Sequence, residues 1–304
     1  MINTTRWQDL KANDLNEVLE KIKDNNNKDL PPNRRKNGET FFDFKVDVIT
    51  NGIEKIKMLN EEISYFSVKA SYYLLNKDND TQILYHLLLI AYKKEDKIYY
   101  IINRNYDATK ILRRILSITE NNALGEKKVK ITDYMSFWIV QCIYNKKNFL
   151  TYSKNDYDNI DITMDKMIGI KGSTPQENKL MAQGTTIGKL ISTLSLLLEI
   201  DSLQETQIEI STEDHEQIIL ALHSKDGRVG TDINSYNGKY EDESKGKKST
   251  KLLLLLYLEI IPIIKANYVA EEEKNNDETR KFISQIVNIL IEKLNKIKNS
   301  KNSK

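Results

Sequence analysis

A single cysteine, Cys142, stands among 304 residues, so no disulfide can form within the chain. A small secreted module held by cross-links is excluded, and a reducing compartment fits. Proline (4) and glycine (11) are sparse and scattered, which excludes a collagen-like, proline-rich or Gly/Ser-linker design. Histidine is rarer still: His86, His215 and His223 are the only three. No His-Glu-x-x-His or Cys-x-x-Cys spacing occurs, so neither kind of zinc site is expected, even at the acidic turn TEDHE around His215. Neither sign of charge dominates, with 46 Lys and Arg against 44 Asp and Glu and a net of +2. That excludes an overall electrostatic case for nucleic acid or an anionic membrane. The N-terminal MINTTRWQDLKANDLNEVLEKIK has no apolar h-region. No secretory leader is expected, and the chain reads as cytoplasmic.

Long apolar runs are also missing. The longest, LLLLLYLEIIPII, covers residues 252–264 between Lys251 and Lys265. Its 13 residues make about 20 Å of helix, short of a hydrocarbon core of about 30 Å. Glu259 near its middle would be costly in lipid. Pro262 predicts a kink. A short helix apolar nearly all round reads as the centre of a core, with no membrane partner.

What is present is patterned. Residues 7–24 carry Leu10, Leu15, Val18, Leu19 and Ile22 at helical spacing. The segment 25–38, with Pro31, Pro32 and Gly38, reads as a loop. From 39 to 103 the period falls to two. In FFDFKVDV the acids alternate with Phe and Val, and residues 83–103 read as a β-hairpin around Glu95-Asp96. Residues 108–118 and 132–144 read as helices. Beyond them IDITMDKMIGIKG is extended, 176–200 helical, and TQIEIS, EQIILALHS and RVGTDI are strands, with a tight turn at Lys225–Gly227. Residues 235–250 read as a flexible polar loop. A last helix near 277–297 carries Ile283, Ile286, Val287, Leu290 and Leu294.

Hairpin-like strand pairs argue for antiparallel sheets packed by helices, hence α+β, with the leucine helix buried at the centre. Two lobes, 1–150 and 151–304, are expected, or one continuous domain.

The candidate chemistry is thin. Gly184, Gly188 and Lys189 spell G-x-x-x-G-K. This is one residue short of a phosphate-cradling loop and has Leu190 where the hydroxyl belongs. It reads instead as a helix start capped by Thr185 or Thr186. Asp43, Lys45 and Asp47 on one strand face form a D-x-K-x-D set that could hold Mg²⁺ and a phosphate in a nuclease. Any strand with one solvated face gives the same spacing. Cys142 lies in an apolar helix and reads as inert.

The strongest lead is basic. Residues 93–130 hold ten Lys and Arg and five Asp and Glu, a local +5 that leaves the rest at −3. Arg104, Lys110, Arg113 and Arg114 stand near Tyr99, Tyr100 and Tyr106, offering phosphate pairing and base stacking. Arg34, Arg35, Lys36 and the lysines of 245–251 could add to them. The sequence therefore reads as a non-catalytic nucleic-acid-associated protein without cofactor or metal. Its Lys-, Asn- and Ile-rich composition suits an accessory of a bacterial mobile element or antiviral defence system. The alternatives are a scaffold subunit with a protein partner or a homo-oligomer, and the Mg²⁺-dependent nuclease.

Overall fold

The structure is a computed structural model. It describes residues 1–30, 41–76, 81–120, 122–153, 159–176, 179–184, 191–200 and 202–302. Helix takes 33% and strand 42%, with antiparallel pairing, so the α+β class holds. In chain order come β1 (Ile2–Asp9), α1 (Leu15–Asp24), β2 (Lys28–Leu30), β3 (Phe41–Val48), β4 (Glu54–Met58), β5 (Glu61–Asn76) and β6 (Thr81–Lys94). Then follow β7 (Lys97–Ile102), α2 (Ala108–Ile115), β8 (Leu124–Glu126), α3 (Asp133–Tyr144), β9 (Phe149–Ser153), β10 (Asn159–Ser173) and β11 (Lys179–Gln183). The rest is α4 (Ile191–Glu199), β12 (Ser202–Thr212), β13 (His215–His223), β14 (Val229–Thr231), α5 (Lys245–Leu255), a π-helical turn (Leu256–Ile260) and α6 (Ile261–Asn302).

The chain forms two compact units, Met1–Val129 with Asp242–Leu255, and Lys130–Glu241 with Leu256–Lys304. The sequence suggests a single break near 150. The observed break falls earlier, and α5 belongs with the first unit because it packs on β5.

In the first unit the strand order is β8-β1-β7-β6-β5-β3-β2, with β4 also on β5. The β5–β6 ladder runs from Ser64↔Lys93 to Asn76↔Thr81. Alternation sorts its side chains. Phe66, Val68, Ala70 and Tyr72 with Leu87, Leu89 and Ala91 join Leu15, Val18, Leu19 and Ile22 of α1 and Ile111, Leu112 and Ile115 of α2 in one core. The expected hairpin is β6–β7, turning through left-handed Glu95 (φ 50°) and Asp96 (φ 57°). Two consecutive positive φ values make the turn that matches the strand twist. The expected helix from residue 7 starts only at Leu15. Residues 2–9 pair instead with β7 and β8. Asp9 Oδ1 then accepts from the N–H groups of Lys11 and Ala12, and Asp14 caps α1 through the Asn16 N–H.

In the second unit β10 pairs β9, β11 and β12, and β13 links β12 to β14. The helix expected over 176–200 is in fact β11 followed by α4. Residues 179–183 alternate and find a ladder on β10, which overrides their helical propensity. Met167, Ile170, Leu194, Leu197, Leu203, Phe282 and Ile286 share a core among α3, α4, α6 and the sheet. The expected loop 235–250 is tied down. Tyr236 and Tyr240 are buried, and α5 begins at Lys245.

The leucine run is buried as expected: Leu252 to Leu256 are at most 2% exposed. The helical stretch around it is longer than the sequence suggests. Lys245–Glu271 spans 27 residues and contains an 18-residue window with a mean hydropathy of 1.8, long and apolar enough to cross a membrane, and 67% of that window is buried inside the fold. Glu259 stays half-exposed at the edge. Pro262 has no N–H to give the carbonyl of Leu258, and the ladder widens into the π turn immediately before it. On α6 the expected stripe divides. Phe282, Ile286 and Leu290 are buried, whereas Ile283, Val287, Ile291, Leu294 and Ile297 are exposed.

Candidate functional site

The basic cluster folds inward. Arg104 follows β7, and its Nη2 donates to Tyr72 Oη at 3.4 Å and to the His86 carbonyl at 3.5 Å. Its guanidinium lies 4.8 Å from the centre of the Tyr85 ring, and Tyr85 stacks on Tyr72 at 5.5 Å. Asp107 stands 4.0 Å from Nη1. Arg114 is buried on α2, and burial pulls its pKa down from the usual arginine value. Lys110 shifts down as well, first through burial and then through the nearby Arg114 charge. Arg113 is half-buried. Arg104 bridges β5 and β6, and Lys110, Arg113 and Arg114 are half-buried or buried rather than spread over an open basic face. The neighbouring tyrosines are also spent. Tyr100 is buried and donates to Asp9 Oδ2 at 2.7 Å, Tyr99 stacks on Tyr92, and only Tyr106 is exposed.

The D-x-K-x-D set is broken by a bulge. The β3–β5 register shifts between Phe42 and Lys45, and Asp43 adopts a left-handed conformation (φ 49°). Lys45 Nζ closes on Asp43 Oδ2 at 2.9 Å, so the two neutralise each other. That hydrogen bond raises the Lys45 pKa. Asp47 stays on the face of Lys45, directly opposite Lys69 on β5, while Lys45 stands opposite Ser71. No cluster of three or more metal-ligating side chains occurs among the described residues. Gly188, Lys189, Arg34, Arg35 and Lys36 lie outside the described residues.

A different set of charges converges on the face of β5–β6 opposite the tyrosines. Lys69 and Ser71 alternate with core-facing Ala70 and Tyr72, and Ser71 pairs with His86. Over this face sits the start of α5. Thr250 Oγ1 lies 2.9 Å from Ser67 Oγ in a buried contact, and also donates to the Gly246 carbonyl. A Cβ on Gly246 would meet Ile49 Cγ2 at 3.0 Å, so glycine lets the helix seat this closely. Between helix and strands is a cavity of about 460 Å³ whose lining includes Asp47, Lys69, Ser71, His86, Asn103, Lys245 and Ser249, with Ile2 and Leu88 among its apolar part. Asn103 is fixed there by accepting from the Leu88 N–H at 2.7 Å.

The state of the charges distinguishes this cavity. On the same helix Lys247 pairs with Glu54 and Lys251 with Glu243. Lys69, Lys245 and Asp47 form no ion pair with any described residue. Two free ammonium groups against one carboxylate leave the pocket net positive. It can hold an anion with direct, charge-assisted hydrogen bonds. Sequence reasoning overlooked Lys69 and His86 as site residues. The polar-apolar alternation of SVKASYY puts Lys69 and Ser71 on one face, but nothing local says that residues 245–249 cover it.

The other two histidines are structural. His215 Nδ1 lies 2.7 Å from Tyr236 Oη, and Tyr236 Oη accepts from the Tyr240 N–H at 3.0 Å. Burial pushes the His215 pKa down to about 4. His223 is buried beside Glu205 at 3.5 Å. Cys142 is buried as expected, with its thiol pushed up to about 12.

The fold and this cavity define an antiparallel α+β protein with a small cationic pocket between a long hairpin and a helix start. No protein-family model matches the chain, and no curated protein matches it.

Proposed function

We propose that this is a cytoplasmic, non-catalytic nucleic-acid-binding protein whose first unit contacts the phosphate backbone. The observation that carries the reading is the unpaired Lys69 and Lys245 facing one cavity with His86. Free lysines at a fixed spacing bind backbone phosphates, and the affinity falls as salt rises. Arg104 supports the site indirectly, by bridging Tyr72 on β5 to the His86 carbonyl on β6.

The test is fluorescence anisotropy of labelled single strands and duplexes with the full chain, titrated over a range of salt. Lys69→Ala/Lys245→Ala should weaken binding and lower the slope of log affinity against log salt by about 1.4 on a single strand. Binding equal to the parent by the double variant, or no binding by the parent at low salt, would remove the reading.

A second reading, a scaffold or homo-oligomer, is favoured by the exposed aliphatics Ile283, Val287, Ile291, Leu294 and Ile297 of α6. It predicts a dimeric or larger mass in light scattering that Leu294→Glu returns to the monomer. A monomeric parent at tens of micromolar removes the homo-oligomer.

A further inference from the structure

The cavity holds one feature that phosphate binding alone does not use. Asp47 stands directly opposite Lys69 across the β3–β5 ladder, which places their Cβ atoms about 5 Å apart. Yet the two form no ion pair with each other, and both line the same pocket. A carboxylate repels phosphate, so in an anion pocket it lowers affinity unless the ligand brings it a donor. A hydroxyl is that donor, because an ionised carboxylate accepts strongly and cannot donate. The ligand this pocket fits therefore carries an anionic group and a hydroxyl close together. Its volume of about 460 Å³ suits one small-molecule-sized unit and excludes a duplex. Leu88 and Ile2 offer apolar surface to the remainder of that unit.

We propose that the cavity takes a single ribonucleotide unit, with Lys69 and Lys245 on its phosphate and Asp47 accepting from the ribose 2′-hydroxyl. This rests on the nucleic-acid reading and narrows it to single-stranded RNA. The 2′-hydroxyl is the group by which a protein tells RNA from DNA at one position. A free nucleoside monophosphate offers the same chemistry, and the test separates the two sources.

The experiment compares labelled oligo(rU) and oligo(dU) of equal length on the full chain at low salt, with uridine monophosphate as competitor. The parent should favour the ribo-oligomer by about tenfold, the discrimination expected of one charge-assisted hydrogen bond. Asp47→Ala should bring the ratio close to one. Loss of the carboxylate strengthens both oligomers alike, so that effect cancels in the ratio. Asp47→Asn, which keeps an acceptor oxygen, should retain part of the preference. Asp47 is exposed, and thermal melts of the variants matching the parent will show that the fold is intact. A parent ratio below about two, or a ratio that Asp47→Ala leaves unchanged, overturns this inference while leaving nucleic-acid binding standing. Binding of neither oligomer overturns the broader reading as well. Displacement of the oligomer by an equal concentration of uridine monophosphate overturns the strand as the ligand.

Discussion

Acid should loosen the second unit through one histidine. His215 is 4% exposed and lies beside Tyr236 Oη, with Tyr240 at 5.0 Å between ring centres. The charged groups near it are Asp214, whose carboxylate favours the protonated ring, and Lys239, whose ammonium opposes it. Burial outweighs both and lowers the folded pKa to about 4 from 6.5. The sign follows from which state takes the proton first. Above pH 6.5 the ring is neutral in both states, and the native packing contributes in full. As the pH falls below 6.5 the unfolded chain protonates while the folded ring stays neutral. Stability is lost progressively until the folded pKa is reached. At about 1.4 kcal/mol per pH unit, the loss attributable to this group is about 3 kcal/mol between pH 6.5 and pH 4. Urea unfolding of the parent and of His215→Gln, followed at intervals across that range, isolates the term. Carboxylates titrate in both proteins, so their difference reports the histidine. The parent's advantage over the variant should shrink by about 2.5 kcal/mol from pH 7 to pH 4.5. Parallel loss of stability in the two proteins would refute the reasoning, and would mean that the ring is hydrated in solution.

Two further perturbations test the packing. Gly238 has φ +145° and a would-be Cβ only 2.7 Å from His215 Cα and 2.8 Å from the Asp214 carbonyl. Gly238→Ala should therefore destabilise the protein by about 2–4 kcal/mol, read as a lowered urea midpoint, and an unchanged midpoint would contradict the described backbone. Thr250→Val removes the hydroxyl that meets Ser67 Oγ at a fully buried position. It should cost about 1–2 kcal/mol, and adding Ser67→Ala should recover part of that cost. A double variant destabilised by the full sum of the singles would show that the two hydroxyls do not rely on each other.

The elements that were legible in the sequence are those whose signal is local. The Glu95-Asp96 turn between two apolar runs gives the β6–β7 hairpin. The stripe Ile111, Leu112, Ile115 and Leu116 gives α2, and all four are buried. The leucine run gives a buried helix. What failed depended on partners far along the chain. Residues 2–9 form a strand because β7 and β8 are there to pair with, and a single amphipathic pattern over 7–24 cannot show that. Residues 179–183 become β11 for the same reason. The arginine cluster illustrates another limit. Positive charge and tyrosine adjacent in sequence suggest a surface for bases, but only the packing shows that Arg104 and Arg114 turn towards Tyr72 and the sheet. Within the cavity, Lys69 and Lys245 are remote in the chain and meet only because Gly246 permits α5 to approach Ile49.

The β5–β6 ladder links core and site in a way that constrains both. Its two-residue period sends Ala70, Tyr72 and Leu87 to the core and Lys69, Ser71 and His86 to the opposite face. A slip of one residue would exchange the two sets, placing lysine and histidine among Val68 and Leu89 and opening tyrosine to water. Burying those charges unpaired would cost several kcal/mol, so the core itself enforces the register that presents the cavity. Arg104 reinforces it from the core side by bridging Tyr72 on β5 to the His86 carbonyl on β6. The basic residue that the sequence singled out for ligand contact thus acts one layer behind it. Its loss should alter the cavity through geometry before it alters the charges that line it.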